Sequence, residues 1–219
     1  MQRCALIDIG SHALDALRFV AGPITSVLSA TLRTVITERP LPQGDSVGHA
    51  GTGRPGTSGP VTNDDIALLT VEMASGAVGP VELSRAAAGR PNSLGVEVLG
   101  SAGHVSFESI RSGEFQLYQT AGAAPGRNGP RTVYTGPEHP YFADVAPMPA
   151  TGLGTGYGEA FIAELQQFLN SVITKTPLDT SFDEAYETML AVEAAMRSAQ
   201  RGTPVRLDDV RAELRPPCG

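Results

Sequence analysis

The chain has 219 residues, of which 41% are hydrophobic and 18% charged, and a formal net charge of −7. That length buries a core as one large domain or two small ones, and the composition is too apolar for a disordered chain. The acidic balance argues against nucleic acid as a main partner, and no apolar run approaches the roughly 18 residues that a membrane span needs. Cys4 and Cys218 lie at opposite ends and give neither a disulfide framework nor a CxxC metal site. The first ten residues hold no cleavable apolar stretch, so the expected setting is the cytoplasm, with no metal and no membrane partner.

In chain order, a helical pattern runs from about Ile9 to Gly22-Pro23, a C-terminal stop. Residues 24–36 alternate β-branched and polar types and predict a strand. Residues 39–62, rich in Pro, Gly, Ser and Thr, predict a long loop. Residues 64–74 and 77–86 predict two strands joined at Ser75-Gly76, and residues 94–100 and 103–108 a second pair joined at Ser101-Ala102. Shorter strands fit 113–119 and 131–135, with loop around and after them. Residues 158–174 place Phe161, Leu165, Phe168, Leu169 and Val172 on one helical stripe. Ser181 and Glu184 fit a capping box that opens a helix over 182–200, with Ala185, Met189, Val192 and Met196 on one face. The segment from Pro204 to Val210 reads as an extended tail. Strands do not alternate with helices, so the expected class is α+β: an open, mainly antiparallel sheet with helices on one face.

One constellation suits chemistry. Asp8, His12, Asp15 and Phe19 follow at i, i+4, i+7 and i+11 and share a helical stripe. A carboxylate one turn from an imidazole suits removal of a proton from a hydroxyl group. Asp8 also fits a plain N-cap, and from the residues alone that reading has the advantage. Gly51-Thr52-Gly53-Arg54-Pro55-Gly56 matches GxGxxG, but neither a strand before it nor a helix after it is predicted, so it reads as a glycine-rich loop. Arg85, at a strand end, could meet an anionic group, and His139 lies in a loop that could border a pocket. His49 falls in the long loop and His104 on a strand surface.

Blocks in a fixed order carry a resemblance. ALIDIGSHALDALRFVAGPITSVLSA, VTNDDIALLTVEMASGAVGPVELSR, VEVLGSAGHVSFE, the lead Gly156-Tyr157-Gly158-Glu159-Ala160-Phe161 and PLDTSFDEAYETMLAVEAAMRSAQRGTPV together resemble the C-terminal domain of the glucose–fructose oxidoreductase / inositol dehydrogenase (Gfo/Idh/MocA) family over most of residues 5–207. The resemblance implies an oxidoreductase whose full-length relatives move hydride between NAD or NADP and a sugar or polyol hydroxyl. It places the family's Asp-x-x-x-His pair on Asp8 and His12, with His12 taking the hydroxyl proton. Asp15, Arg85, His139 and Tyr157 are the substrate-binding candidates.

The family's N-terminal NAD(P)-binding domain carries a Glu-Lys-Pro lysine. This chain has one lysine, Lys175, at the end of a surface helix. The expectation is therefore a single C-terminal-type substrate and oligomerisation domain over 1–219, truncated before the cofactor domain. It is expected to bind neither NAD nor NADP alone and to form a homodimer or higher homo-oligomer through the open sheet face. A non-catalytic dimerisation or carbohydrate-binding scaffold is the alternative from another class.

Overall fold

A computed structural model describes residues 5–40, 58–90, 92–122, 126, 128–139 and 150–214. Two compact units divide the chain. The first joins residues up to Ala88 with those from Ala185 onward, and the second runs from Gly89 to Glu184.

The first unit is built on the sheet order β10-β1-β4-β5, formed by β1 (Ile24–Arg33), β4 (Ile66–Met73), β5 (Val78–Ser84) and β10 (Val205–Arg206), with every pair antiparallel. A period of two decides which face is buried. Ala67, Leu69, Val71 and Met73 of β4 are buried, whereas Leu68 stands 46% exposed. Helix α1 (Ala5–Ala21) buries Leu6, Gly10 and Leu14, one residue per turn, on the same side. Gly10 suits that close approach: a Cβ there would lie 2.7 Å from Leu83 Cδ1, so the Leu83 side chain would have to shift. The helix ends where Gly22, at φ +91°, donates its amide to the Arg18 carbonyl at 2.9 Å, and Pro23 follows.

Helix α3 (Phe182–Arg201) adds Leu190, Ala191, Val192, Ala194 and Ala195 to this core, and α4 (Leu207–Leu214) adds Leu207 and Val210. A short ribbon, β2 (Glu38–Pro40) with β3 (Ser58–Pro60), brackets residues 41–57, which lie outside the described residues.

The second unit holds an antiparallel meander, β6 (Gly95–Gly100), β7 (Gly103–Glu108), β8 (Glu114–Gln119) and β9 (Arg131–Tyr134), with helix α2 (Tyr157–Thr174). Among its described residues Ala163 is the one buried apolar side chain. The groove between α2 and the segment after it is lined by Phe161, Leu165, Phe168, Pro177, Leu178 and Phe182.

The expected α+β class and antiparallel pairing hold, but several boundaries differ. The strands belong to two four-stranded sheets rather than one, because strand 94–100 pairs with strand 103–108 and not with strand 77–86. Helix α1 already includes Ala5, four residues earlier than its apolar periodicity suggests, because its N-terminal amides find acceptors on a distant residue, Asp64. The tail from Pro204 is not extended throughout: two residues pair with β1, and Leu207-Asp208-Asp209 then opens α4, acidic side chains suiting a helix N-terminus. On α3 the buried residues are Thr188, Leu190, Ala191, Val192, Ala194, Ala195 and Ser198, so of the expected face Val192 is buried and Met196 packs against the core, whereas Ala185 and Met189 are exposed. The α2 stripe is about half exposed at Phe161, Leu165, Phe168, Leu169 and Val172.

Candidate active site

The stripe expected on α1 is present. Leu6, Gly10 and Leu14 face the sheet, which turns Asp8, His12, Asp15 and Phe19 outward. His12 is exposed and Asp8 half-buried, one helical turn apart. Asp8 lies inside the first turn of α1 and is not its N-cap. The Leu6 amide donates to Asp64 Oδ2 at 2.8 Å and the Ala5 amide to the Asp64 carbonyl at 3.0 Å, which is where the first described amides of the helix are satisfied.

Arg85, at the end of β5, brings its Nη2 to 4.0 Å from Asp8 Oδ2. The Arg85 backbone amide donates to the carbonyl of Asp65 at 2.8 Å. The Asp65 side chain is fully buried. Its Oδ2 accepts from the amides of Val35 at 2.9 Å and Ile36 at 2.8 Å, and its Oδ1 accepts from the Arg39 guanidinium. Burial pushes this carboxyl up. The two amides, then the charges of Arg39 and Arg85, outweigh burial and hold it below the usual carboxylate range. An ionised group at the foot of β4 thus stands behind Arg85, which faces Asp8.

Asp15 sits on the same stripe but is engaged elsewhere. Its Oδ1 accepts from Thr188 Oγ1 at 3.1 Å and lies 3.8 Å from Arg18 Nη1, and Arg18 itself donates to Thr188 at 2.8 Å. This ties α1 to α3. In the second unit the His139 amide donates to the Gly136 carbonyl at 3.0 Å, and the exposed Tyr157 ring meets Phe161 edge-on at 5.2 Å. The structure therefore brings Arg85 to Asp8 near the start of α1, with His12 one turn and Asp15 about two turns further along the same stripe. His139 and Tyr157 belong to the other unit. His104 lies with Nε2 3.0 Å from Glu97 Oε1 on the β6–β7 pair. The Gly51–Gly56 loop and His49 lie outside the described residues. Sequence reasoning missed Asp64 and Asp65.

Among the described residues no group of three or more His, Cys, Asp or Glu side chains is arranged to hold a metal ion, and no helix is long and apolar enough to cross a membrane. All strand pairs described are antiparallel. A dinucleotide site needs a strand–turn–helix of a parallel βαβ unit, with its helix N-terminus facing the pyrophosphate, and the described residues do not fit that group.

Residues 2–207 match the profile of the Gfo/Idh/MocA oxidoreductase family's C-terminal alpha/beta domain. A levoglucosan dehydrogenase from Pseudarthrobacter phenanthrenivorans is 38% identical over 210 residues, covering 95% of this chain and 53% of that enzyme. The scyllo-inositol 2-dehydrogenase (NAD(+)) of Bacillus subtilis is 29% identical over 149 residues, covering 68% of this chain and 36% of that enzyme. Among solved structures, a levoglucosan dehydrogenase in complex with NADH and levoglucosan superposes with a TM-score of 0.80 at 35% identity, over 93% of this chain and 50% of that one. The chain spans about half the length of the relatives it matches.

Proposed function

Because the chain belongs to the Gfo/Idh/MocA oxidoreductase family, as its C-terminal alpha/beta domain, we propose that it is the substrate half of a dehydrogenase acting on a sugar or polyol hydroxyl. The observation that carries this reading is the outward stripe of α1, where Asp8 and His12 stand one turn apart with Arg85 beside the carboxylate. A neutral imidazole nitrogen accepts the proton of a hydroxyl laid over the stripe. Asp8 and Arg85 offer an acceptor and a donor to its neighbouring hydroxyls, which orients the reacting one. The relatives' names support a polyhydroxylated substrate and an NAD-linked oxidant. Asp15, further along the same stripe, is the remaining proposed substrate contact, and the dinucleotide, NAD or NADP, is held by a nucleotide-binding region that these residues do not supply.

The open face of the first sheet supports self-association. Leu68, Val78 and Pro80 stand exposed there, opposite the helices, within a field of Thr70, Glu72 and Glu82. We read this face as the contact in a homodimer in the cytoplasm.

The test joins the chain to the nucleotide-binding half of a levoglucosan dehydrogenase and assays levoglucosan and scyllo-inositol with NAD and NADP. His12→Ala lowers kcat by roughly 10²–10⁴-fold, the size of a general-base contribution, while thermal stability stays near wild type because the ring is exposed. An active fusion whose kcat ignores His12→Ala refutes the assignment. Calorimetric titration of the chain alone with NADH and NADPH is expected to give no binding, and micromolar affinity for either would overturn that part.

A further inference from the structure

Two neighbouring residues hold the two sides of the Asp8–Arg85 pair. Asp64 holds α1: its carbonyl and its Oδ2 accept the Ala5 and Leu6 amides, so the start of the helix is fixed two and three residues before Asp8. Asp65 holds the end of β5: its carbonyl accepts the Arg85 amide at 2.8 Å, while its own amide donates to the Arg33 carbonyl at 2.8 Å. Asp65 is itself immobilised, fully buried with its carboxylate taken up by Val35, Ile36 and Arg39. The relative position of Asp8 and Arg85 is therefore set across one peptide bond. A shift of α1 along its axis would open the 4.0 Å approach; the apolar contacts of Leu6, Gly10 and Leu14 with the sheet are non-directional, and the helix has polar ties to Thr188 through Asp15 and Arg18, about two turns and more beyond Asp8, and to Asp64 at its start. At the Asp8 end of the helix the side-chain tie is the Asp64 carboxylate, a cap supplied from 58 residues away, beside the Asp64 carbonyl that takes the Ala5 amide.

We propose that Asp64 is a positioning residue: by capping α1 from the foot of β4, its carboxylate holds Asp8 in register with Arg85. The inference rests on the reading of Asp8 and His12 as the proton-transfer pair for its catalytic meaning, and on the hydrogen bonds alone for its geometry. Asp64 touches no reacting atom and acts through the helix.

A cycle of cycles on the 219-residue chain tests it. Asp8→Asn, Arg85→Gln and the double variant are compared for unfolding of the first unit, followed by amide exchange of the β4 core. This is done in the wild-type, Asp64→Asn and Asp64→Ala backgrounds. General destabilisation cancels within each cycle, so only the Asp8–Arg85 coupling remains. In the wild type the pair is expected to favour folding by about two- to fivefold, the range of a partly exposed ion pair. Asp64→Asn keeps an oxygen for the Leu6 amide and keeps the coupling. Asp64→Ala removes the oxygen and brings the coupling to within about 1.3-fold of none. If Asp64→Ala does not fold, Asp64→Ser, whose oxygen stops short of that amide, takes its place with the same expectation. Undiminished coupling in the uncapped background, or none in the wild type, overturns the proposal. No substrate or dinucleotide enters this measurement, so its failure is separate from that of the proton-transfer reading, which falls with an unaffected His12→Ala fusion.

Discussion

Replacing Asp65 by Ala is expected to cost about 3 kcal/mol of stability in the first unit, and the figure follows from what the carboxylate holds. The side chain is fully buried and accepts three hydrogen bonds, from the Val35 and Ile36 amides and from Arg39. Breaking a buried ion pair from one side costs about 3–5 kcal/mol when the stranded charge stays dry. Here Arg39 is 37% exposed at its side chain, and Val35 and Ile36 stand near the surface, so water partly repairs all three donors. That lowers the pair's share to about 1–2 kcal/mol and leaves about 0.5–1 kcal/mol for each amide, which together give the quoted total. Asp65→Asn keeps an acceptor for the amides and loses the charge, and should cost about half as much. The chain has no tryptophan, so circular dichroism in urea or amide exchange of β4 is the suitable assay. A loss below about 1 kcal/mol for the alanine variant would show that the carboxylate is not what fixes residues 34–39, and the account of Asp65 as an immobile foot for Arg85 would fall with it.

The same group gives a pH dependence. Its folded-state pKa is lowered, so its contribution is present above the unfolded carboxyl value of about 3.9 and is lost as pH falls through the lower folded value; acid titration of stability should be shallower in Asp65→Asn than in the wild type. In the second unit, Gly103→Ala should open the β7–β8 pairing and cost more than about 2 kcal/mol, because at φ +156° its Cβ would lie 2.0 Å from the Tyr118 carbonyl oxygen, a backbone atom that cannot swing away; a variant as stable as wild type by thermal melting would refute that register. Light scattering at micromolar concentration should show a dimer, and Leu68→Glu with Val78→Glu, both on the open face of the first sheet, should yield monomer of unchanged fold; a wild-type monomer refutes the interface.

What was legible in the residues is what depends on near neighbours. The alternation in Ile66–Met73, the Ser75-Gly76 turn and the stripe of α1 all follow from spacings of two to four residues, and each is found in the structure. What was not legible depends on distant partners. Asp8 resembled a cap because it is the first acidic residue of an apolar run, yet the cap comes from Asp64. Strands 77–86 and 94–100 look alike locally, and nothing between them tells that they belong to different sheets.

Asp65 is an intermediate case, and its signal was available. The period of two that puts Ala67, Leu69, Val71 and Met73 on the buried face of β4 puts Asp65 on that face as well. A carboxylate in the buried register of a strand must find charge and donors or be expelled. Its donors include backbone amides, and the fixed cations in the chain are arginines, apart from Lys175 at the C-terminal end of α2 in the other unit. Arg85 ends the strand paired beside β4, and Arg39 follows the strand on its other side. The reasoning that marks Asp8 and His12 for their spacing along a helix thus marks Asp64-Asp65 for alternation along a strand: one carboxylate half-buried to hold α1, the next turned inward to hold the ends of β1 and β5. The stripe that carries the proposed chemistry is placed by that pair of residues, and a substitution there should reach Asp8 without touching it.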